Sequence, residues 1–84
     1  MFFEKVSLVT GGFDPIHSGH ISYFKRAKDF SDYLVVGLNT NEWLTAKKGQ
    51  YFLSWVERAE IVRHLNMVDA VVTVPDDEVG SACG

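Results

Sequence analysis

The sequence predicts an α/β domain built on a parallel sheet, and three observations carry that prediction. Apolar, β-branched runs alternate with segments of helical spacing; the middle run, YLVVGL, is apolar throughout; and a Gly-Gly turn leads from the first run into the first helix. Continuous apolar strands suit a sheet covered on both faces, and β-α-β alternation implies right-handed crossovers. With 84 residues there is room for one small domain at most.

The elements follow in order. Residues 5–10 form the first strand. Residues 18–30 form a helix in which Ile21, Phe24 and Ala27 share a face, with Tyr23 and Phe30 widening the stripe. Residues 33–38 are the second strand, and residues 39–53 are read as a long loop. Ser54 and Glu57 make an S-x-x-E capping box at the start of a second helix, 55–65. There Trp55, Ala59 and Val62 recur at i, i+4 and i+7, with Ile61 and Leu65 beside them, and Asn66 suits a left-handed stop. Residues 70–74, AVVTV, complete β-α-β-α-β. The loops 11–18 and 39–53 both leave carboxyl ends of strands, the edge at which such sheets bind ligands.

Bulk properties exclude several classes. An apolar share of 46% with 23% charged residues is that of a soluble globular chain. A net charge of −3 without a run of one sign argues against nucleic acid or a membrane surface as partner. The lone cysteine, Cys83, cannot form an internal disulfide, so a cytoplasmic setting is expected. The longest apolar run is too short to span a bilayer, and MFFEK is not a signal peptide.

The chemistry concentrates in residues 11–20, GGFDPIHSGH. Gly11 and Gly12 permit φ > 0 and close approach of backbone to a ligand. Pro15 fixes φ at the turn. A helix N-terminus offers N–H groups and partial positive charge to phosphate. His17 and His20, three apart, lie on one face and can donate to a charged oxygen. Asp14 either ties the turn through backbone N–H groups or touches substrate; Phe13 reads as packing. Two histidines without a third ligand at regular spacing do not make a metal site, and His64 belongs to the other helix. Lys47 and Lys48 by themselves read as ordinary loop charges. Arg58, beside Glu57, by itself reads as a solvated helix charge. Arg63, Lys25, Arg26 and Lys28 read as solvated surface, and Trp43, Tyr51 and Phe52 as packing.

GGFDPIHSGH resembles the G-x-F-D-x-x-H-x-G-H signature of the cytidylyltransferase-like nucleotidyltransferases. ISYFKRAK, SDYLVVGLNTNEW, KKG and ERAEIVRHLNMVDAVV are similar to that family's first helix, second strand and loop, lysine loop, and arginine-bearing helix with third strand, so the resemblance covers roughly residues 5 to 75. It implies a Rossmann-like, three-layer αβα domain of which this chain is the βαβαβ N-terminal portion, residues 1–84, with two further strands, a G-x-D-type turn and an I-S-T-T-like segment expected beyond it. Within the family the sequence looks most like glycerol-3-phosphate cytidylyltransferase and the heptose 1-phosphate adenylyltransferase type.

The resemblance implies transfer of a nucleoside monophosphate from CTP or ATP to a sugar- or polyol-phosphate, with release of pyrophosphate. It implies His17, His20 and Lys47 as catalytic residues. Nucleotide contacts would come from Thr10, Gly11, Gly12, Phe13, Asp14, His17, His20 and Lys48, and acceptor-phosphate contacts from Lys47 and Arg58. It implies Mg²⁺ held mainly by the nucleotide phosphates, with no protein metal site. Asn41 stands where many relatives carry an acidic residue. Two alternatives stay open: a coenzyme-biosynthesis adenylyltransferase of the nicotinamide mononucleotide or phosphopantetheine type, and a non-catalytic nucleotide-binding module that dimerises through an uncovered face.

Overall fold

The structure is a computed structural model and describes residues 4–75; Cys83 and the stretch after Pro75 lie outside the described residues. Three parallel strands are present among the described residues: β1 (Val6–Gly11), β2 (Tyr33–Asn39) and β3 (Ala70–Val74), in the spatial order β1-β2-β3. The connections carry α1 (Ser18–Asp29), α2 (Asn41–Lys48) and α3 (Trp55–Arg63). None of these helices is long and apolar enough to cross a membrane.

The pleat decides where the core lies. Register places Val9 beside Val36 and Val36 beside Val71, so with Leu34 and Leu38 they line one face of the sheet. Phe24 from α1 and Ala59 and Val62 from α3 pack onto that face, joined by Phe13, Met67 and Val68. Phe24, Leu34, Val36, Leu38 and Val62 are fully buried; each such side chain contributes up to about 1.5–3 kcal/mol relative to an exposed one. The other pleat face is different: Val6 and Leu8 are each 62% exposed, and Tyr33 and Val72 are exposed beside them. The described residues thus build the sheet and one helical layer.

The strands and the first and last helices lie where the sequence places them, and several details differ. Tyr23 and Phe30 do not widen the buried stripe of α1; both are exposed. Helix α1 ends at Asp29, with Phe30 as its cap, so Phe30 projects past the last turn. Ser54 caps α3 as expected, its Oγ accepting the Glu57 N–H, but α3 stops at Arg63 and Ile61 is exposed. His64 and Leu65 close the helix by donating to Ile61 O and Val62 O, the tighter i to i−3 pattern. No left-handed residue is needed there, and Asn66 is not one.

The larger correction is α2, inside the segment read as a loop. Thr40 Oγ1 accepts the Trp43 N–H at 3.0 Å, and Gly49 ends the helix at φ +89°, its N–H donating to Thr45 O at 2.8 Å. A polar cap and a left-handed glycine bracket only eight residues, of which Leu44 alone is buried. So short a helix is marginal by itself. Packing of Leu44 against the Gly12 turn holds it, and periodicity could not reveal that contact.

Candidate functional site

The carboxyl ends of β1 and β2 open into the segments 12–17 and 40–54, which meet at one edge of the sheet. Gly11 and Gly12 are buried at that junction. Neither has positive φ; among the described non-glycine residues Phe13 alone does, at +50°. The glycines are needed for space instead. A Cβ on Gly11 would lie 2.9 Å from Phe13 Cζ, and one on Gly12 would lie 2.7 Å from Leu44 Cδ2. The turn drives the Phe13 ring into the core, edge-on to Phe24 at 5.1 Å and to His20 at 4.9 Å.

The two histidines cap their own helix. His17 is the N-cap of α1, and its Nδ1 accepts the Gly19 N–H at 3.1 Å. His20 reaches back, its Nδ1 accepting the His17 N–H at 3.1 Å. The reciprocal capping box expected at α3 is therefore made here by imidazoles. The arrangement assigns the tautomers: with each Nδ1 an acceptor, the neutral ring carries its proton on Nε2. The rings lie 4.0 Å apart, with His17 exposed and His20 half-buried. Burial, and then the neighbouring His17, hold the His20 pKa below its ordinary value, which favours the neutral donor form.

This cap revises the expected phosphate grip. The Gly19 N–H is taken by His17 Nδ1 and the His20 N–H by His17 O. Of the first helical amides, that of Ser18 stays without a partner among the described residues. The donors left over at the helix start are chiefly the two Nε2–H groups, reinforced by the helix dipole.

Asp14 braces the turn from below. Its carboxylate accepts Phe52 N–H at 2.6 Å and Leu53 N–H at 2.7 Å, and its side chain has no solvent exposure. The tie runs across to the segment before α3, not within the turn itself. Lys48 Nζ donates to the Asp14 carbonyl at 2.8 Å and lies 3.8 Å from its carboxylate.

Arg58 completes the scaffold and is 1% exposed. Its Nε donates to Leu53 O at 3.0 Å. Nη1 donates to Gly12 O at 3.0 Å and to Asn39 O at 2.7 Å, and Nη2 donates to Asn41 Oδ1 at 3.0 Å. Asn41 Oδ1 also accepts the Trp55 N–H at 2.7 Å. Burial lowers the Arg58 pKa, an effect that nearby Asp14 and Tyr51 oppose.

A strand-to-helix turn carrying paired, tautomer-fixed histidines, on the ligand-binding edge of a parallel sheet, is the arrangement against which known proteins can be compared. The sequence pattern described as cytidylyltransferase-like matches residues 8–82. The chain belongs to this family. It is 44% identical over 71 residues to the FAD synthase of Thermococcus sibiricus, covering 82% of this chain and 48% of that protein. It is 38% identical over 76 residues to the bifunctional protein HldE of Citrifermentans bemidjiense, covering 88% of this chain and 16% of that one. The fold superposes with a TM-score of 0.85 on a lipopolysaccharide core biosynthesis protein from Thermoplasma volcanium, at 24% identity, covering 93% of this chain and 64% of the other. The chain thus spans about half, or less, of the curated relatives it matches.

Within this cytidylyltransferase-like framework the residues singled out from sequence divide into two groups. His17, His20 and Lys47 present their polar ends at the surface; Lys47 Nζ sits 4.9 Å over the Trp43 ring and makes no ion pair among the described residues. Thr10 is half-buried within β1, Gly11 and Gly12 offer only backbone, and Phe13 is core. Asp14 and Lys48 are committed to protein partners.

Arg58 is neither a solvated helix charge nor, in this fold, a group reaching out to an acceptor phosphate; four of its N–H groups are taken by the protein beneath the site. Arg63 is exposed and pairs with Glu60, as a surface charge should. Sequence reasoning missed Asn41 as a structural acceptor. Its place two residues past the end of β2, beside the Thr40 cap, was the available signal. Among the described residues no group of three or more His, Cys, Asp or Glu could hold a metal ion, and each Asp14 carboxylate oxygen already accepts a backbone N–H.

Proposed function

We propose that the chain supplies the triphosphate-gripping part of a nucleotidyltransferase that moves a nucleoside monophosphate from CTP or ATP onto a phosphorylated small molecule. The observation that carries this reading is the histidine cap, which leaves two Nε2 atoms uncommitted, on rings whose centres lie 4.0 Å apart, at an exposed helix start. In the reaction an acceptor phosphate oxygen attacks the α-phosphorus and forms the new P–O bond. The bond from that phosphorus to the bridging oxygen breaks, and pyrophosphate leaves with the electron pair. The protein's task is positioning and charge stabilisation. His17 and His20 donate to non-bridging oxygens, where negative charge builds. Lys47 neutralises the departing pyrophosphate from the C-terminal turn of α2. Mg²⁺ held mainly by the nucleotide phosphates belongs to this reading, and no step here depends on it.

A sugar- or polyol-phosphate acceptor is supported by the likeness to HldE. A second reading, a flavin phosphate acceptor with ATP as donor, is favoured by the 44% identity to an FAD synthase. Calorimetric titration with CTP and ATP, followed by pyrophosphate release over glycerol 3-phosphate, heptose 1-phosphate and FMN, tests all of it. Nucleotide binding that disappears in His17→Ala and His20→Ala is the expected result. Absence of binding to both nucleotides by the intact chain would overturn the proposal.

A further inference from the structure

We propose that Arg58 is a positioning residue: its buried guanidinium holds the histidine turn and the lysine-bearing helix at the separation that one polyphosphate spans. The ligand half of this statement rests on the triphosphate reading above; the structural half does not.

Gly12 O belongs to the turn that leads to His17. Asn39 O ends β2. Asn41 Oδ1 opens α2, the helix that carries Lys47. Leu53 O precedes α3, on which Arg58 itself sits. One planar group therefore meets four acceptors drawn from both loops, at distances of 2.7 to 3.0 Å. Asp14 makes the complementary tie, from the histidine turn to the Phe52 and Leu53 N–H groups. Leu53 is thus held from both sides, its N–H by Asp14 and its carbonyl by Arg58. Lys48 Nζ adds a further tie between the two loops, donating to the Asp14 carbonyl.

Rigid-fork geometry matters here. A guanidinium directs several donors in fixed directions, whereas an ammonium directs three from one point on a flexible stem. Arg58→Lys keeps the charge and much of the stem but cannot serve Gly12 O, Asn39 O and Asn41 Oδ1 together. The turn and α2 then relax relative to each other. Misplacement of this order, remote from the reacting atoms, weakens binding or catalysis substantially.

The test uses the 84-residue chain, with inorganic tripolyphosphate as probe, because it lacks a base. Arg58→Lys should bind it about tenfold more weakly than the unaltered chain, and Asn41→Ala about threefold. The imidazole ¹⁵N signals of His17 and His20 should move in both variants, and the Phe52 and Leu53 amides should lose exchange protection. Lys28→Ala, at the opposite edge, serves as a remote ion-pair control with unchanged affinity and unchanged imidazole signals.

If Arg58→Lys lowers only the melting temperature, leaving affinity and imidazole signals as in the unaltered chain, Arg58 is merely structural and the proposal falls. Should Arg58→Lys fail to fold, Asn41→Ala decides by the same readouts. If the unaltered chain does not bind tripolyphosphate, the triphosphate reading fails instead, and the imidazole and exchange data still judge the positioning role.

Discussion

The two edges of the sheet use the same device with opposite consequences. At the amino edge a carboxylate ties loop to strand: Asp69 accepts the Leu34 N–H at 2.8 Å and pairs with Lys28 at 2.5 Å, with side chains 38% and 31% exposed. Lys5 N–H donates to Asp32 and Tyr33 Oη to Glu4, both in the open. At the carboxyl edge Asp14 and Arg58 do the equivalent work buried from solvent. Exposed ties exchange readily for solvent and contribute little. Buried ones must be complete, because any partner removed leaves a desolvated polar group behind. The lesson is that the edge carrying the candidate site is the one where electrostatics has been made structural.

That contrast can be broken most severely at Arg58. Arg58→Ala strips donors from three backbone carbonyls and from Asn41, and should cost about 3 kcal/mol or more, enough to unfold a large fraction of so small a chain in a urea titration. Gly12→Ala comes next. Its Cβ meets Leu44 2.7 Å away, which should cost about 1–3 kcal/mol; adding Leu44→Ala should recover part of the loss of that strain, a non-additivity readable in a double-mutant cycle.

His17 separates structure from function at the same edge. His17→Asn can still cap α1, whereas His17→Ala forfeits about 1 kcal/mol of cap. Both variants lose the Nε2–H donor, so both should lose nucleotide affinity while only the alanine variant melts noticeably earlier.

The pH response sharpens the comparison further. The His20 pKa is lowered on folding from 6.5, by burial first and then by His17. Its contribution to stability is therefore fully present above pH 6.5 and declines as pH falls through that value toward the lower folded pKa. Protonation there also replaces the Nδ1 acceptor of the His17 N–H with a donor. A decline in melting temperature over this window that His20→Gln abolishes is the expected result. Smallest of all is Lys28→Ala at the amino edge, for which a loss below about 1 kcal/mol is expected. A larger loss there would remove the distinction between the edges.

Much of this was legible in the residues. The three strands, the two amphipathic helices and the edge bearing the glycine-histidine turn follow from apolar periodicity and from the cap residues, which are local properties. The uncovered face does not follow from periodicity, because continuous apolar strands point to cover on both faces; Val6, Leu8 and Tyr33 nonetheless make a sheet surface that the described helices do not reach. What stayed illegible depended on distant neighbours. Helix α2 is too short for its period to show and is held by Leu44 against Gly12. Tyr23 and Phe30 carry helical spacing yet face outward. Arg58 reads like any surface arginine beside Glu57.

The sequence by itself determined the three strands, the two amphipathic helices between them and the placing of His17 and His20 at a helix start, because each depends on residues within a few positions of one another; the parallel sheet follows from their alternation. Only the tertiary structure decided that the histidines cap their own helix with Nδ1 and keep Nε2 free, that Asp14 and Lys48 face each other, and that Arg58 lies under the site. The reason is physical: whether a charge is solvated or buried depends on which carbonyls and N–H groups converge on it from segments up to 46 residues away, and no local pattern encodes that convergence.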